Sequence, residues 1–188
     1  MKVLLAEYAV AHEPGLAPEG AAMLGVLQGS FERCGHEVVF PGTGDFGEEI
    51  RRLAPGCGAG LVIAPDHLLF RYTSLLEHLT HNLGCGSLNA AVCANKRRAA
   101  AILSQNGIQV PGEGVPGRRV FKPEQGCGAQ GVRISSGEPG TGELAQEFIE
   151  GEHLSVSLIG SRVTGNACSY YTGKPPLLLA VNRQEIAI

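Results

Sequence analysis

The sequence predicts an α/β arrangement followed by an α+β one, with a parallel sheet in the first half and an antiparallel sheet in the second. Three observations predict it. Over residues 1–88 short apolar runs alternate with stretches of helical period, the pattern of βα units whose strands lie parallel. From about residue 119 the runs turn to period two, and turns rich in glycine replace the helices. Between these halves the string Pro111-Gly112-Glu113-Gly114-Val115-Pro116-Gly117 has the composition of a linker. The expected division is an α/β domain over 1–88, a helical and linker segment over 89–118, and an antiparallel β subdomain over 119–188.

The elements follow in order. Residues 2–6 form a buried-type strand. Pro18-Glu19-Gly20 opens a helix with Met23, Leu24, Leu27 and Phe31 on one face and Gly35 as its stop. Residues 37–40 read as a second strand, 48–53 as a short helix and 61–64 as a third strand. Residues 68–83 read as a helix closed by Gly84, with His78 and His81 as a surface pair on it. Asn95 has the chemistry of an N-cap for a helix over 96–106, with Gly107 just past its end. Strands are expected at 119–121 and 132–134. A hairpin is expected over 144–159, broken at Gly151, with further strands at 166–171 and 177–181.

Composition excludes several classes. With 44% hydrophobic and 18% charged residues this is an ordinary globular sequence. A net charge of −3 leaves no basic footprint for nucleic acid. No apolar run approaches the roughly 20 residues that span a bilayer, and Glu7 interrupts the first strand too early for a signal peptide. The six cysteines show no Cys-x-x-Cys spacing, so free thiols in a reducing cytoplasm are expected, with no zinc site.

The chemistry concentrates at residues 121–131. A short strand ends in Lys122, Pro123 halts it, and Gly126, Gly128 and Gly131 follow before a second strand begins. A glycine-rich turn exposes successive backbone N–H groups with no Cβ in the way, which suits phosphate oxygens. The spacing also matches the dinucleotide fingerprint, with Glu150 near its acidic position. That fingerprint needs a helix to open at the glycines, and Val132-Arg133-Ile134 is a strand string instead. No Gly-Lys-Ser/Thr triplet of a P-loop occurs. The string by itself leaves both a nucleotide grip and a plain hairpin open.

A second conflict points to an anion. The helix expected at 96–106 starts Lys96-Arg97-Arg98, three cations where the helix dipole favours acidic groups. A phosphate bound there would relieve it. In the first half, Glu7, Tyr8, Asp66 and His67 sit at the carboxyl ends of strands, where α/β sheets collect ligands. They are candidate substrate residues, with solvated loop positions as the alternative.

Taken together, these strings resemble the ATP-grasp superfamily. Asn95-Lys96-Arg97 through Gly107-Ile108-Gln109-Val110-Pro111 is similar to its first lysine helix, and Val120-Phe121-Lys122-Pro123 to its second lysine strand. Gly126 to Gly131 resembles its phosphate-covering loop, and Gln146-Glu147-Phe148-Ile149-Glu150-Gly151 its hinge under the adenine. Residues 1–88 resemble the small α/β domain preceding the grasp. The resemblance implies that Lys96 and Lys122 contact ATP phosphates and that the backbone of Glu147, Phe148 and Ile149 holds the adenine edge. His153 stands where many members carry a ribose-binding glutamate. Magnesium is implied as well. Its ligands are not in this chain, so an incomplete grasp is expected, with the metal ligands in a further C-terminal segment.

Within the superfamily, residues 1–31 and 178–186 resemble an archaeal-type group, one that includes the tyramine–L-glutamate ligase of methanofuran biosynthesis. Arg183, in the second of these strings, joins the candidate substrate residues. The implied activity joins a small-molecule carboxylate to an amine at the expense of ATP, with no nucleic-acid or membrane partner and self-association left open. The alternative is a nucleotide-binding module without turnover.

Overall fold

A computed structural model of the chain describes residues 1–114, 116–126, 131–160, 162–165, 168–171 and 174–185. By contacts the chain divides into two units, Met1–Ala91 with Arg162–Gly173, and Val92–Ser161 with Lys174–Ile188.

In the first unit, β1 (Lys2–Glu7) leads through α1 (Ala9–His12) into α2 (Ala17–Arg33), then β2 (Glu37–Val39) and α3 (Phe46–Leu53). β3 (Ala59–Ile63), α4 (Asp66–Glu77), β4 (His81–Asn82) and α5 (Ser87–Cys93) follow. β2, β1, β3 and β4 lie side by side and parallel, as the alternation predicted. β1 is central, so Val3, Leu4, Leu5 and Ala6 are fully buried, which is why it reads as a continuous apolar run. Leu4 and Val62 pack with Ile50 of α3 and Leu76 of α4 to form the core.

Local chemistry sets the helix ends. Asp45 Oδ1 accepts the N–H of Glu48 at the start of α3. At the end of α2, Gly35 donates to Glu32 O at 2.9 Å and His36 to Phe31 O at 3.0 Å, the double bond pattern of a Schellman stop.

The helix expected over 68–83 stops at Glu77. Leu79 and Thr80 still donate to Leu76 O, then the chain extends into β4 beside β3. His78 is the cap residue, its Nδ1 2.7 Å from Ser74 O, and His81 lies in β4. The two histidines therefore do not share a helix face.

The second unit begins with α6 (Lys96–Gln105) and continues with β5 (Arg119–Pro123), β6 (Arg133–Ser135), β7 (Glu143–Glu147) and β8 (Leu154–Ile159). β5 is the centre of an antiparallel sheet in the order β6-β5-β7. Phe121, Leu144 and Ala145 are its buried apolar side chains, and the guanidiniums of Arg119 and Arg133 lie 5.4 and 4.6 Å from the Phe121 ring centre.

The expected hairpin of 144–159 does not form. β7 pairs with β5, and β8 pairs with β11 (Leu177–Arg183) in a separate ribbon. Between β8 and β11 run β9 (Arg162–Gly165) and β10 (Cys168–Tyr171), which pair with each other. β9 also adds antiparallel to β4, extending the first unit's sheet. Thus the antiparallel half does not stay in one sheet. Among the described residues, no helix is long and apolar enough to cross a membrane.

Candidate functional site

The site is built on α6 and β5. Asn95 is the expected N-cap, its Oδ1 accepting the Arg98 N–H at 2.9 Å. At the other end, Gly107 donates to Ser104 O and Ile108 to Leu103 O, both at 3.0 Å. Gly107 takes φ +77, a conformation glycine adopts without a Cβ clash. With both ends fixed, Lys96 stands in the first turn, its N–H donating to Glu124 O at 2.9 Å. Its ammonium donates to Gly126 O at 2.6 Å.

Lys122 lies in β5, between buried Phe121 and Pro123, and is itself half-buried. Among the described residues it makes no hydrogen bond or ion pair. Burial, and then the nearby positive charge of Lys96, push its pKa below the ordinary lysine value. A half-buried ammonium beside a second cation is an electrostatic conflict unless an anion joins them.

The three cations at the start of α6 are not equally uncompensated. Arg97 is ion-paired with both Glu113 and Glu124, and the Glu124 carboxylate, foremost, raises its pKa. Among the described residues the Lys96 ammonium meets a neutral carbonyl, and Arg98 is exposed with no ion pair. Uncompensated charge thus remains on Lys96, beside half-buried Lys122, the two lysines singled out in the sequence.

Of the glycine turn, Gly126 and Gly131 are described, at φ +107 and +69. Gly128 lies outside the described residues. A Cβ at Gly131 would press within 3.2 Å of Pro123, so the glycine lets the returning strand pass close to β5.

The expected hinge follows β7. Glu147 N donates to Gly112 O at 2.8 Å and Phe148 N to Arg118 O at 3.1 Å, while the Arg118 guanidinium lies 4.2 Å from the Phe148 ring centre. Two of the hinge N–H groups are thus already used within the protein. An open hollow of about 740 Å³ lies beside Glu147 and Ile149, its wall shared with Ser104, Gly107, Ile108 and Pro111. His153 is exposed, its carbonyl accepting the Gln184 N–H. Lys96, Lys122 and His153 do not line this hollow.

Of the candidate substrate residues of the first unit, Glu7 and Tyr8 make contacts within the fold. Glu7 is buried, and its two carboxylate oxygens accept the N–H groups of Ala9 at 2.9 Å and Val10 at 2.7 Å. Tyr8 packs on the core with its ring 4.7 Å from His12, 5.2 Å from Phe46 and 5.9 Å from Tyr72. Asp66 opens α4 and His67 is exposed beside it. In the second unit Arg183, exposed at the end of β11, lies 3.5 Å from Glu152.

Comparison with known proteins decides the family. The family described as ATP-grasp domain matches residues 93–188, more than half of the chain. The chain belongs to the ATP-grasp family. Every nucleotide-site residue expected from the sequence lies inside that matched stretch. An ATP-grasp superfamily protein from Archaeoglobus fulgidus superposes with a TM-score of 0.79 at 29% identity, covering 100% of this chain and 62% of its own. A D-alanine–D-alanine ligase from Bacillus anthracis shares the fold at a TM-score of 0.61 and 16% identity, over 100% of this chain and 73% of its own.

Among curated relatives, a tyramine–L-glutamate ligase of Methanocaldococcus fervens is 33% identical over 129 residues, which is 67% of this chain and 38% of the relative. Its counterpart from Methanocaldococcus jannaschii is 31% identical over the same length. The chain therefore spans less than two-fifths of the length of the curated relatives it matches.

ATP-grasp chemistry implies ATP and magnesium. The paired lysines fit a polyphosphate, and the separate hollow beside Glu147 and Ile149 has room for a base. Among the described residues no group of three His, Cys, Asp or Glu side chains is placed to hold a metal ion. Sequence reasoning missed Glu113, Glu124 and the double role of Arg97. These partners lie 16 and 27 residues apart in the chain, and no local pattern signals them.

Proposed function

We propose that this chain is the nucleotide-gripping part of an ATP-dependent carboxylate–amine ligase. The observation that carries the reading is Lys122, half-buried, without an anionic partner among the described residues, and facing the charge of Lys96. In this reading both ammoniums bind phosphate oxygens, and Lys96 exchanges the Gly126 carbonyl for one of them. The backbone around Glu147 to Ile149 and the hollow beside it receive the base, His153 the ribose. When bound, ATP would supply the phosphoryl group that activates a carboxylate for attack by an amine. The residues of this chain would contribute positioning and electrostatic stabilisation.

The kinship with tyramine–L-glutamate ligases supports glutamate as the carboxylate and tyramine as the amine, in a cytoplasmic enzyme. Residues 1–88 would then serve as the domain preceding the grasp, with Asp66 and His67 as its remaining candidate substrate contacts; Arg183 is a separate candidate in the second unit. Glu7 and Tyr8 would support that site from within the fold. One observation favours a narrower reading for these residues alone. In that reading the chain by itself binds nucleotide without turnover, and among the described residues no three His, Cys, Asp or Glu side chains gather.

The test is ATP affinity measured by titration calorimetry. A desolvated charge-assisted contact is worth roughly 1.5–3 kcal/mol, so Lys122→Ala should weaken ATP binding about ten- to a hundredfold. Lys174→Ala, at an exposed turn, should change it less than about threefold. Equal affinities for the two variants would remove Lys122 from the site.

A further inference from the structure

The charges flanking the two lysines form a pattern of their own. Lys96 and Lys122 repel each other across the gap between the start of α6 and the end of β5. One residue beyond Lys96 and two beyond Lys122, that gap is bridged by an attraction. Arg97 Nε donates to Glu124 Oε1 at 2.9 Å. Asn95 Nδ2 reaches the other oxygen of the same carboxylate at 3.5 Å. The second arm of the guanidinium, Nη1, pairs with Glu113.

Glu113 belongs to a third segment. It bridges to Gln146 of β7, and its neighbour Gly112 accepts the Glu147 N–H. Arg97 thus ties together the helix that carries Lys96, the strand end that carries Lys122, and the segment alongside the hinge.

Stability does not account for this arrangement. The side chains of Arg97, Glu113 and Glu124 are 47%, 38% and 29% exposed, and such pairs contribute little to folding. What a planar guanidinium forked between two carboxylates does supply is geometry. Two like charges held in one place need a fixed frame, because repulsion acts to part the elements that carry them.

Resting on the nucleotide reading above, we propose that Arg97 is a positioning residue of the phosphate site. Its clamp on Glu124 and Glu113 keeps the Lys96 and Lys122 ammoniums close enough to grip one polyphosphate. In this arrangement Arg97 acts through Glu124 and Glu113, which accept from its Nε and Nη1, and it is assigned no phosphate contact of its own.

The 188-residue chain is titrated with ATP and, separately, with adenosine, which has no phosphate. Arg97→Gln should weaken ATP binding about tenfold, the size of a coupled network contact, and leave adenosine binding unchanged. Glu124→Gln should do the same by the other side of the clamp. The double variant should bind ATP no more weakly than the worse single one, because both changes break one connection. Arg97→Lys, keeping the charge but losing the fork, should recover only part of the affinity.

The inference fails if Arg97→Gln binds ATP as the parent does, or loses ATP and adenosine affinity in parallel, which would mark a merely structural role. It fails equally if Glu124→Gln folds and binds ATP normally, whatever Arg97→Gln does. If the parent binds no ATP, or Lys122→Ala binds as the parent does, the nucleotide reading is at fault and this inference falls with it. An intact Lys122 effect with a silent Arg97→Gln overturns the positioning role alone.

Discussion

At the scale of single residues, Lys122 carries the argument, and its environment gives a pH dependence with a definite sign. An ordinary lysine titrates near 10.4. Burial first, and Lys96 second, hold Lys122 below that value in the free protein, so it loses its proton earlier as pH rises. For folding, a base with a lowered pKa costs stability while it is charged. That cost is fully present below its folded pKa and disappears as pH climbs from there towards about 10.4. For binding the sign reverses, because a polyphosphate favours the charged form and raises the pKa again. ATP affinity should therefore fall as pH rises through the lowered value, with proton uptake on binding in that range. Calorimetry in two buffers of different ionisation enthalpy measures both. Lys122→Arg stays charged throughout and should flatten this part of the profile, whatever its absolute affinity. A profile identical to the parent's would assign the titration to another group. Lys122 was legible in the sequence because a strand, a proline and glycines are local signals. Its lack of an ionic partner among the described residues was not, since that depends on where Glu113 and Glu124 point, and Arg97 takes both.

At the scale of elements, the packing of α2 on β1 yields a test of how a buried carboxylate is held. Glu7 read from the sequence as a cleft residue because it ends a parallel strand. In the fold its carboxylate is used by the N–H groups of Ala9 and Val10, and Gly20 of α2 lies against it. A Cβ at Gly20 would stand 2.5 Å from Glu7 Oε1. Alanine gains about 1 kcal/mol over glycine in a helix interior. Displacing the carboxylate leaves buried donors unpaired, which costs roughly 1–3 kcal/mol and outweighs that gain. Gly20→Ala should therefore lower the unfolding free energy by up to about 2 kcal/mol in urea denaturation. Gly25→Ala, on the same helix with nothing near its added Cβ, should raise it by about 0.5–1 kcal/mol. Equal shifts in the two variants would show that Glu7 moves aside freely. Elements fixed by their own periodicity and caps, such as α2, α3 and α6, were legible. β4 was not, because Leu79 and Leu83 continue the apolar spacing of α4 while the backbone answers to a partner, β3. β9 and the pairing of β8 with β11 likewise depend on strands far away in the chain.

At the scale of the whole molecule, the family was legible because four short strings occur in a fixed order, each with its own physical reason. The detour of β9 and β10 into the first unit's sheet has no such string. The same scale decides what magnesium does to binding by these residues. Among those described, no three His, Cys, Asp or Glu side chains cluster, and the Lys96 and Lys122 ammoniums stand at the candidate phosphate site without an ion pair. Free ATP carries more negative charge than its magnesium complex, so it satisfies the two lysines at least as well. Oxygen ligands held by protein are what make a nucleotide site prefer the metal complex. ATP affinity of the 188-residue chain should therefore be unchanged or higher when magnesium is replaced by a chelator. Phosphoryl transfer is more demanding, since charge in flight needs cations fixed on both sides of the bridging oxygen. Two lysines on one face do not meet that requirement. ADP release by this chain with glutamate and tyramine should accordingly stay at the background rate, with or without magnesium. The two measurements separate cleanly, calorimetry reading the grip and a coupled assay reading the transfer. Turnover that rises with magnesium would mean that carboxylates of this chain gather around the metal once nucleotide is bound.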